Sequence, residues 1–181
     1  MFKKWPKIPR LENEVFHITE KIDGTNGCVV IRPCSWMTDI YPPLYHINYI
    51  GIWAQSRTRI ITREADNYEF AMWVRDNSEQ LMNDLGIGYH YGEWWGKGIN
   101  REYGITHRRF SLFNRDKQSS ACENVPYLAR SNFDTLHYDI TRLKTELLNF
   151  GSLAAKGFCR PEGLVVYAAL ARTSWKVIID K

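Results

Sequence analysis

This chain has no run of about 18 consecutive apolar residues, the length a membrane-crossing helix needs. Its N-terminus lacks the apolar segment and small-residue cleavage site of a secretory leader, so the expectation is a cytoplasmic protein with no membrane partner. Cysteine is sparse: Cys28, Cys34, Cys122 and Cys159 show no C-x-x-C spacing, which argues against a zinc knuckle and fits a reduced compartment. The five histidines are scattered with no metal-ligand spacing, so structural roles are expected of them. Internal repeats and low-complexity segments are absent. Neither sign of charge dominates: 24 Lys and Arg against 20 Asp and Glu leave a net charge of +4. That balance accommodates a polyanionic partner without demanding one. The basic cluster Lys3-Lys4-Trp5-Pro6-Lys7 reads as a solvated tail, with a nucleic-acid arm as the alternative.

Aromatic residues, by contrast, are plentiful, with seven Trp, ten Tyr and eight Phe. Core packing accounts for most of them, and stacking platforms for bases are the other use. A length of 181 residues predicts one domain with a substantial core. Strands are expected at 13–22 and 27–32, and a loop at 35–46. Further strands follow at 47–55, 88–95 and 108–114, with a closing hairpin at 162–170 and 173–180. Helical spacing marks 67–85, with a break at Asn77-Ser78 and Gly86 as its cap. It recurs over 133–149, where Leu136, Ile140, Leu143 and Leu147 share one face. Strands scattered among two helical segments make an α+β pattern rather than regular βαβ alternation.

Four groups of residues carry chemistry. The first, Lys21-Ile22-Asp23-Gly24-Thr25-Asn26, follows a β-patterned run and sets an amine at a strand end before a turn. An amine becomes a nucleophile when it sheds its proton; at an unperturbed pKa of about 10.4, fewer than about one lysine in a thousand is neutral at pH 7. Nearby cations lower that pKa. The glycine lets the backbone approach a ligand closely. Ser56-Arg57 comes next, with Arg59 two residues on, on the same face if the strand continues. Tyr91-Gly92-Glu93-Trp94-Trp95-Gly96 holds a carboxylate on an aromatic strand, where the two tryptophans must point to opposite faces. Phe110-Ser111-Leu112-Phe113-Asn114 is an aromatic strand with a polar end. Finally Glu162-Gly163-Leu164-Val165-Val166-Tyr167 precedes Trp175-Lys176-Val177-Ile178. A surface lysine, a turn aspartate, a paired glutamate and a core phenylalanine are the ordinary roles for these residue types.

In this order, over residues 20–178, the pieces resemble the covalent nucleotidyltransferase superfamily of polynucleotide ligases and mRNA-capping enzymes. The form E-K-x-x-G-T-N is most similar to the RNA ligase 2-type branch, which includes phage RNA ligases and kinetoplastid editing ligases. The Y-G-E-W-W-G and F-S-L-F-N variants are similar to small RNA-ligase-family proteins of bacteria and phages. The resemblance implies an ATP-grasp-like adenylation domain of two antiparallel sheets with flanking helices, covering 1–181 without an appended OB domain. It implies a three-step reaction. A lysine attacks the α-phosphate of ATP and holds AMP, AMP passes to a polynucleotide 5′-phosphate, and a 3′-hydroxyl then displaces it.

By the same resemblance Lys21 is the nucleophile, and the backbone of Glu20 meets the adenine edge. Asp23, Gly24 and Asn26 belong to the nucleotide site, where Asn26 and Arg57 hold ribose or phosphate oxygens. Arg59 is the alternative to Arg57. Glu93 contacts ribose or metal, Phe113 stacks on the base, Glu162 is the better ligand for Mg²⁺, and Lys176 meets the α-phosphate. The family's final motif is usually Lys-x-Lys. Ile178 occupies its third position here, so either Lys181 substitutes or one lysine suffices. Larger relatives carry a further nucleic-acid-gripping domain. A minimal enzyme would rely on a protein partner, on a nicked duplex, or on its own basic positions such as Lys97, Arg101, Arg108 and Arg109. The expected partner is RNA with 5′-phosphate and 3′-hydroxyl ends. DNA ligase, capping-type guanylyltransferase and a non-catalytic nucleotide- or nucleic-acid-binding module are the alternatives.

Overall fold

A computed structural model describes residues 2, 7–8, 10–35 and 39–179. Lys181 and the basic cluster near the N-terminus, apart from Lys7, lie outside the described residues. In chain order the elements are β1 (Val15–Lys21), β2 (Thr25–Pro33), β3 (Tyr45–Ile47), β4 (Ile50–Gln55), β5 (Ile60–Ile61), α1 (Phe70–Asp76), α2 (Ser78–Leu85) and β6 (Gly88–Gly96). Then come β7 (Arg108–Leu112), β8 (Glu123–Asn124), β9 (Tyr127–Asn132), α3 (Leu136–Phe150), β10 (Gly163–Ala168) and β11 (Thr173–Ile178). The chain forms two compact units, residues 1–22 with 126–181, and residues 23–125.

The first unit is a four-stranded antiparallel sheet in the order β11-β10-β1-β9. Alternation along β1 sends Phe16 and Ile18 to one face, where they meet Leu164, Val166 and Ala168 of β10. Helix α3 closes that face with Leu143 and Leu147, and the partly buried Leu136 and Ile140 complete the apolar stripe read from the sequence. Just before β1, Glu14 accepts backbone N–H bonds from Val15, Leu170 and Ala171 at 3.0, 2.7 and 2.9 Å. Burial pushes the Glu14 carboxyl up, but the N–H donors outweigh it and hold the group below the usual carboxylate range.

The second unit is a sheet in the order β3-β4-β2-β6-β7-β8, with β5 on β4. Its core lies against α1 and α2: Val29, Ile31, Ile52 and Ala54 meet Phe70, Val74, Leu81 and Leu85. Asp66 supplies the start of α1 by accepting from the backbone N–H groups of Ala71 and Met72. The helical segment divides at Asn77, as its sequence suggests, and Gly86 caps α2 at φ 68°.

Three local expectations change. The β-patterned stretch 47–55 is a hairpin, because Asn48 and Tyr49 adopt positive φ and fold β3 back on β4. Strand β9 has no counterpart in the sequence reading; it is an edge strand whose pattern is broken by a bulge between Ile18 and Thr19 of its partner. The short pairing of β7 with β8 is parallel, the one exception to antiparallel order among the described strands.

Candidate functional site

Each unit carries part of the residue set. In the first, Lys21 ends β1 directly opposite Gly163 of β10, and Gly163 is opposite Ile178 of β11. A Cβ at Gly163 would meet the Val177 carbonyl oxygen at 2.0 Å, so the backbone of β11 packs directly against this position and leaves no room for a side chain. Glu162 stands one residue before β10, and the Nζ of Lys21 donates to its Oε2 at 2.7 Å. Both side chains are largely buried, with 23% and 15% exposed. Lys176 is on the same sheet face as Lys21, one row along, opposite Val165 and Thr19, and it is exposed. The register therefore puts Ile178, not a lysine, in the row of Lys21. Lys176 is the lysine of β11 on that face.

Glu20 points the other way. It is 1% exposed, and its carboxylate accepts from the Ser152 hydroxyl at 2.5 Å and the backbone N–H groups of Leu153 and Ala154 at 2.8 and 3.0 Å. Burial raises its pKa, opposed by these donors. Its side chain thus anchors the loop after α3, while its backbone N–H donates to the Pro126 carbonyl.

In the second unit a chain of polar contacts starts at Arg57. The Arg57 guanidinium donates to the amide oxygen of Asn26, through Nε at 2.9 Å and through Nη2. The Asn26 amide nitrogen donates to Glu93 Oε2 at 3.2 Å, and Glu93 Oε1 accepts the Gly24 N–H at 3.1 Å. Glu93 is buried, and the β2–β6 register sets it directly opposite Asn26. Gly24 does not open space for a ligand. A Cβ there would meet the Trp94 carbonyl at 2.5 Å and the Trp95 Cβ at 2.8 Å, so β6 itself fills the room. Arg59 is not equivalent to Arg57: the strand stops at Gln55, and Ser56–Arg59 is a turn that sends Arg59 to the Ala65 carbonyl.

Asp23 is held by side chains the sequence did not connect to it. Arg101 Nε donates to it at 2.9 Å, Asn100 Nδ2 donates at 3.0 Å, and the Asp23 N–H is accepted by the Tyr103 hydroxyl at 2.7 Å. Tyr103 in turn meets Trp95 edge-on, with centroids 5.0 Å apart. Positive φ at Asn100, Glu102 and Tyr103 folds this loop, and only its glycines at 98 and 104 hint at that in the sequence. Arg101 and Arg108, two of the four basic positions noted above, sit in ion pairs with Asp23 and Glu69.

Trp94 and Trp95 do take opposite faces. Trp94 joins the core of α1 and α2. Trp95 shares the face of Glu93 and donates through Nε1 to Ser111. Phe113 follows β7, donates its backbone N–H to the Tyr91 carbonyl and stays 43% exposed. A half-exposed ring on this face is free to meet a flat ligand.

Among the described residues no group of three or more His, Cys, Asp or Glu side chains could hold a metal. Glu162 and Glu93 offer hard carboxylate oxygens singly. That suits a hard divalent ion carried on phosphates, which takes one or two carboxylates, better than an ion caged by protein alone. No helix among the described residues is long and apolar enough to cross a membrane.

Solved RNA ligases share this two-sheet α+β fold. An RNA ligase R4a from Naegleria gruberi, a lysine-to-alanine variant without ligand, matches at a TM-score of 0.61 and 20% identity over 93% of this chain and 50% of its own. A Naegleria gruberi RNA ligase variant with ATP and Mn matches at 0.57 and 18%, over the same shares. An archaeal ATP-dependent RNA ligase matches at 0.58 and 14%, over 98% of this chain and 48% of its own. The chain spans about half the length of these proteins. No curated protein matches it significantly. Residues 14–178 match the RNA ligase family model, and the chain belongs to that family.

Proposed function

We propose that this chain is the adenylation part of an ATP-dependent RNA ligase. The observation that carries the reading is the Lys21–Glu162 pair, set at the ends of adjacent strands in a chain matched to the RNA ligase family over 14–178. Lys21 gives up an ammonium proton, for which the Glu162 carboxylate is the adjacent acceptor. The Nζ lone pair then attacks the α-phosphorus of ATP. An N–P bond forms as the α–β P–O bond breaks, and pyrophosphate leaves with that electron pair. A polynucleotide 5′-phosphate oxygen next attacks the same phosphorus; the N–P bonding pair returns to the Lys21 nitrogen, which takes a proton back from the Glu162 carboxyl. In the last step a 3′-hydroxyl attacks the activated 5′-phosphate, loses its proton and releases AMP.

Lys176 meets phosphate charge on the Lys21 face. Arg57 and Asn26 hold ribose or phosphate oxygens, because a guanidinium fork and an amide suit both. Glu93 holds Asn26 and Gly24 in place and faces the ribose, with Asp23 securing the turn, and Phe113 stacks on adenine. Mg²⁺ is the proposed ion, with Glu162 and Glu93 as its carboxylates, and when bound it neutralises charge on the phosphates. The proposed substrate is RNA with 5′-phosphate and 3′-hydroxyl ends, as single strands or held in a nicked or bridged duplex, within cytoplasmic RNA repair. A protein partner or an additional segment would help to grip it.

The test is intact mass after incubation with ATP and Mg²⁺. The protein should gain one AMP in an acid-labile, alkali-stable bond, and Lys21→Ala should gain none. Equal labelling from GTP would favour a capping-type activity, and a labelled Lys21→Ala would refute the nucleophile.

A further inference from the structure

The sheet of the first unit has one face closed by α3; the other face bears Lys21, is half-buried at Lys21, Thr19 and His17, and is exposed at Tyr167, Ser174, Lys176 and Arg130. Going back along β1 from Lys21, the next residue on this face is Thr19, in the row of Lys176, and after it His17, in the row of Tyr167, Ser174 and Arg130. His17 lies stacked against Tyr167, with ring centroids 6.4 Å apart at 25°, and its Nδ1 is 3.3 Å from the Tyr127 hydroxyl. Tyr167, Arg130 and Lys176 are exposed. No acidic residue occupies this face at any strand position; Glu162 stands before β10 and is paired with Lys21. The closed face is mostly aliphatic, with Phe16, Ser131, Thr173, Trp175 and the buried Glu20 as its exceptions.

Resting on the ligase reading above, we infer that the Lys21 face is the track for the polynucleotide strand whose 5′-phosphate receives AMP from Lys21. Bases about four nucleotides from its 5′ end would stack on the Tyr167–His17 platform, and Lys176 and Arg130 would meet its phosphates. Three features carry this. The acceptor phosphate has to reach the phosphorus on Lys21, so its strand must leave along a face Lys21 shares. Four residues of extended chain separate Lys21 from His17, about 13 Å, which spans about four stacked nucleotides at 3.4 Å each. Finally, exposed rings flanked by cations and free of carboxylates are the combination that binds single-stranded nucleic acid, by stacking and phosphate contact together. The roles are separate from those in the charging step, because Tyr167, His17 and Arg130 take no part in the proposed ATP chemistry.

The experiment starts from purified adenylylated protein, freed of ATP. A 5′-phosphorylated, 3′-blocked RNA oligonucleotide is added, and AMP transfer to its 5′ end is followed in a single turnover. Tyr167→Ala should charge with ATP at the wild-type rate but transfer AMP about 5- to 150-fold more slowly at subsaturating RNA, the effect of losing one base stack. Tyr167→Phe should restore transfer. Arg130→Ala should weaken RNA binding and reduce the slope of log affinity against log salt by about one. Tyr167→Leu, which keeps bulk but offers no ring, carries the comparison if alanine lowers charging. Wild-type protein that never charges would overturn the ligase reading itself. Variants that charge and transfer as the wild type does would overturn the track alone, as would transfer that is equally slow with Tyr167→Phe.

Discussion

The Nζ of Lys21 donates to Oε2 of Glu162 across 2.7 Å, although the two residues are 141 positions apart in the chain. Strand pairing makes this contact. Lys21 is opposite Gly163, and the residue before Gly163 swings its carboxylate beside the amine. In the proposed chemistry the carboxylate that holds the amine is also its nearest proton acceptor.

Glu162→Gln keeps the shape of that contact and removes its charge. The rate of AMP attachment at neutral pH should fall by about 10²-fold or more, the usual worth of a positioned acid or base, with thermal stability little changed. The measurement is the time course of mass gain together with Tm. A wild-type rate would show that Glu162 neither accepts the proton nor serves the phosphates.

Phe113 is 43% exposed, so it contributes little to folding. Phe113→Ala should leave Tm within a degree or two of wild type while weakening ATP use in charging by about 1–3 kcal/mol, the value of a base stack. Charging rates over an ATP series decide this. A large fall in Tm with unchanged ATP dependence would make Phe113 a packing residue.

Glu20 accepts three hydrogen bonds in a buried setting, none of which involves a ligand. Glu20→Ala would leave the N–H groups of Leu153 and Ala154 and the Ser152 hydroxyl without their acceptor, at a cost of about 2–4 kcal/mol. Glu20→Gln, whose amide oxygen still accepts and whose nitrogen can donate to Ser152, should stay close to wild type. Urea titration of the two variants measures the difference, and equal stabilities would mean that the loop does not depend on this side chain.

Glu14 and Glu20 should impose opposite pH dependences. Glu14 has a lowered pKa in the folded state, so its contribution is present above the unfolded value near 4.5 and is lost as pH falls through the folded one. Glu20 has a raised pKa, so its contribution is present below about 4.5 and is lost as pH rises through the folded value. Comparing Tm from pH 7 down to 3, the deficit of Glu14→Gln should shrink toward acid. Glu20→Gln should be at its best, relative to wild type, at neutral pH. Parallel profiles for the two variants would contradict both shifts.

The sequence alone determined the order of the chemical groups, the two helical segments and most strands. Lys21 at a strand end, Glu93 on an aromatic strand, and Leu143 and Leu147 on one helix face follow from periods of 2 and 3.6, which are local properties of the chain. Tertiary structure alone decided which of these groups touch. It turned Glu20 inward to the loop after α3, gave Asp23 to Arg101 and Tyr103, and, by ending β4 at Gln55, set Arg57 on Asn26 and Arg59 on the Ala65 carbonyl. It also paired the edge strand β9 with β1 through a bulge. These contacts depend on strand register and on partners about 80 to 140 residues away in several cases. No local period encodes such a partner, because a sheet satisfies its N–H and C=O groups between segments rather than within them.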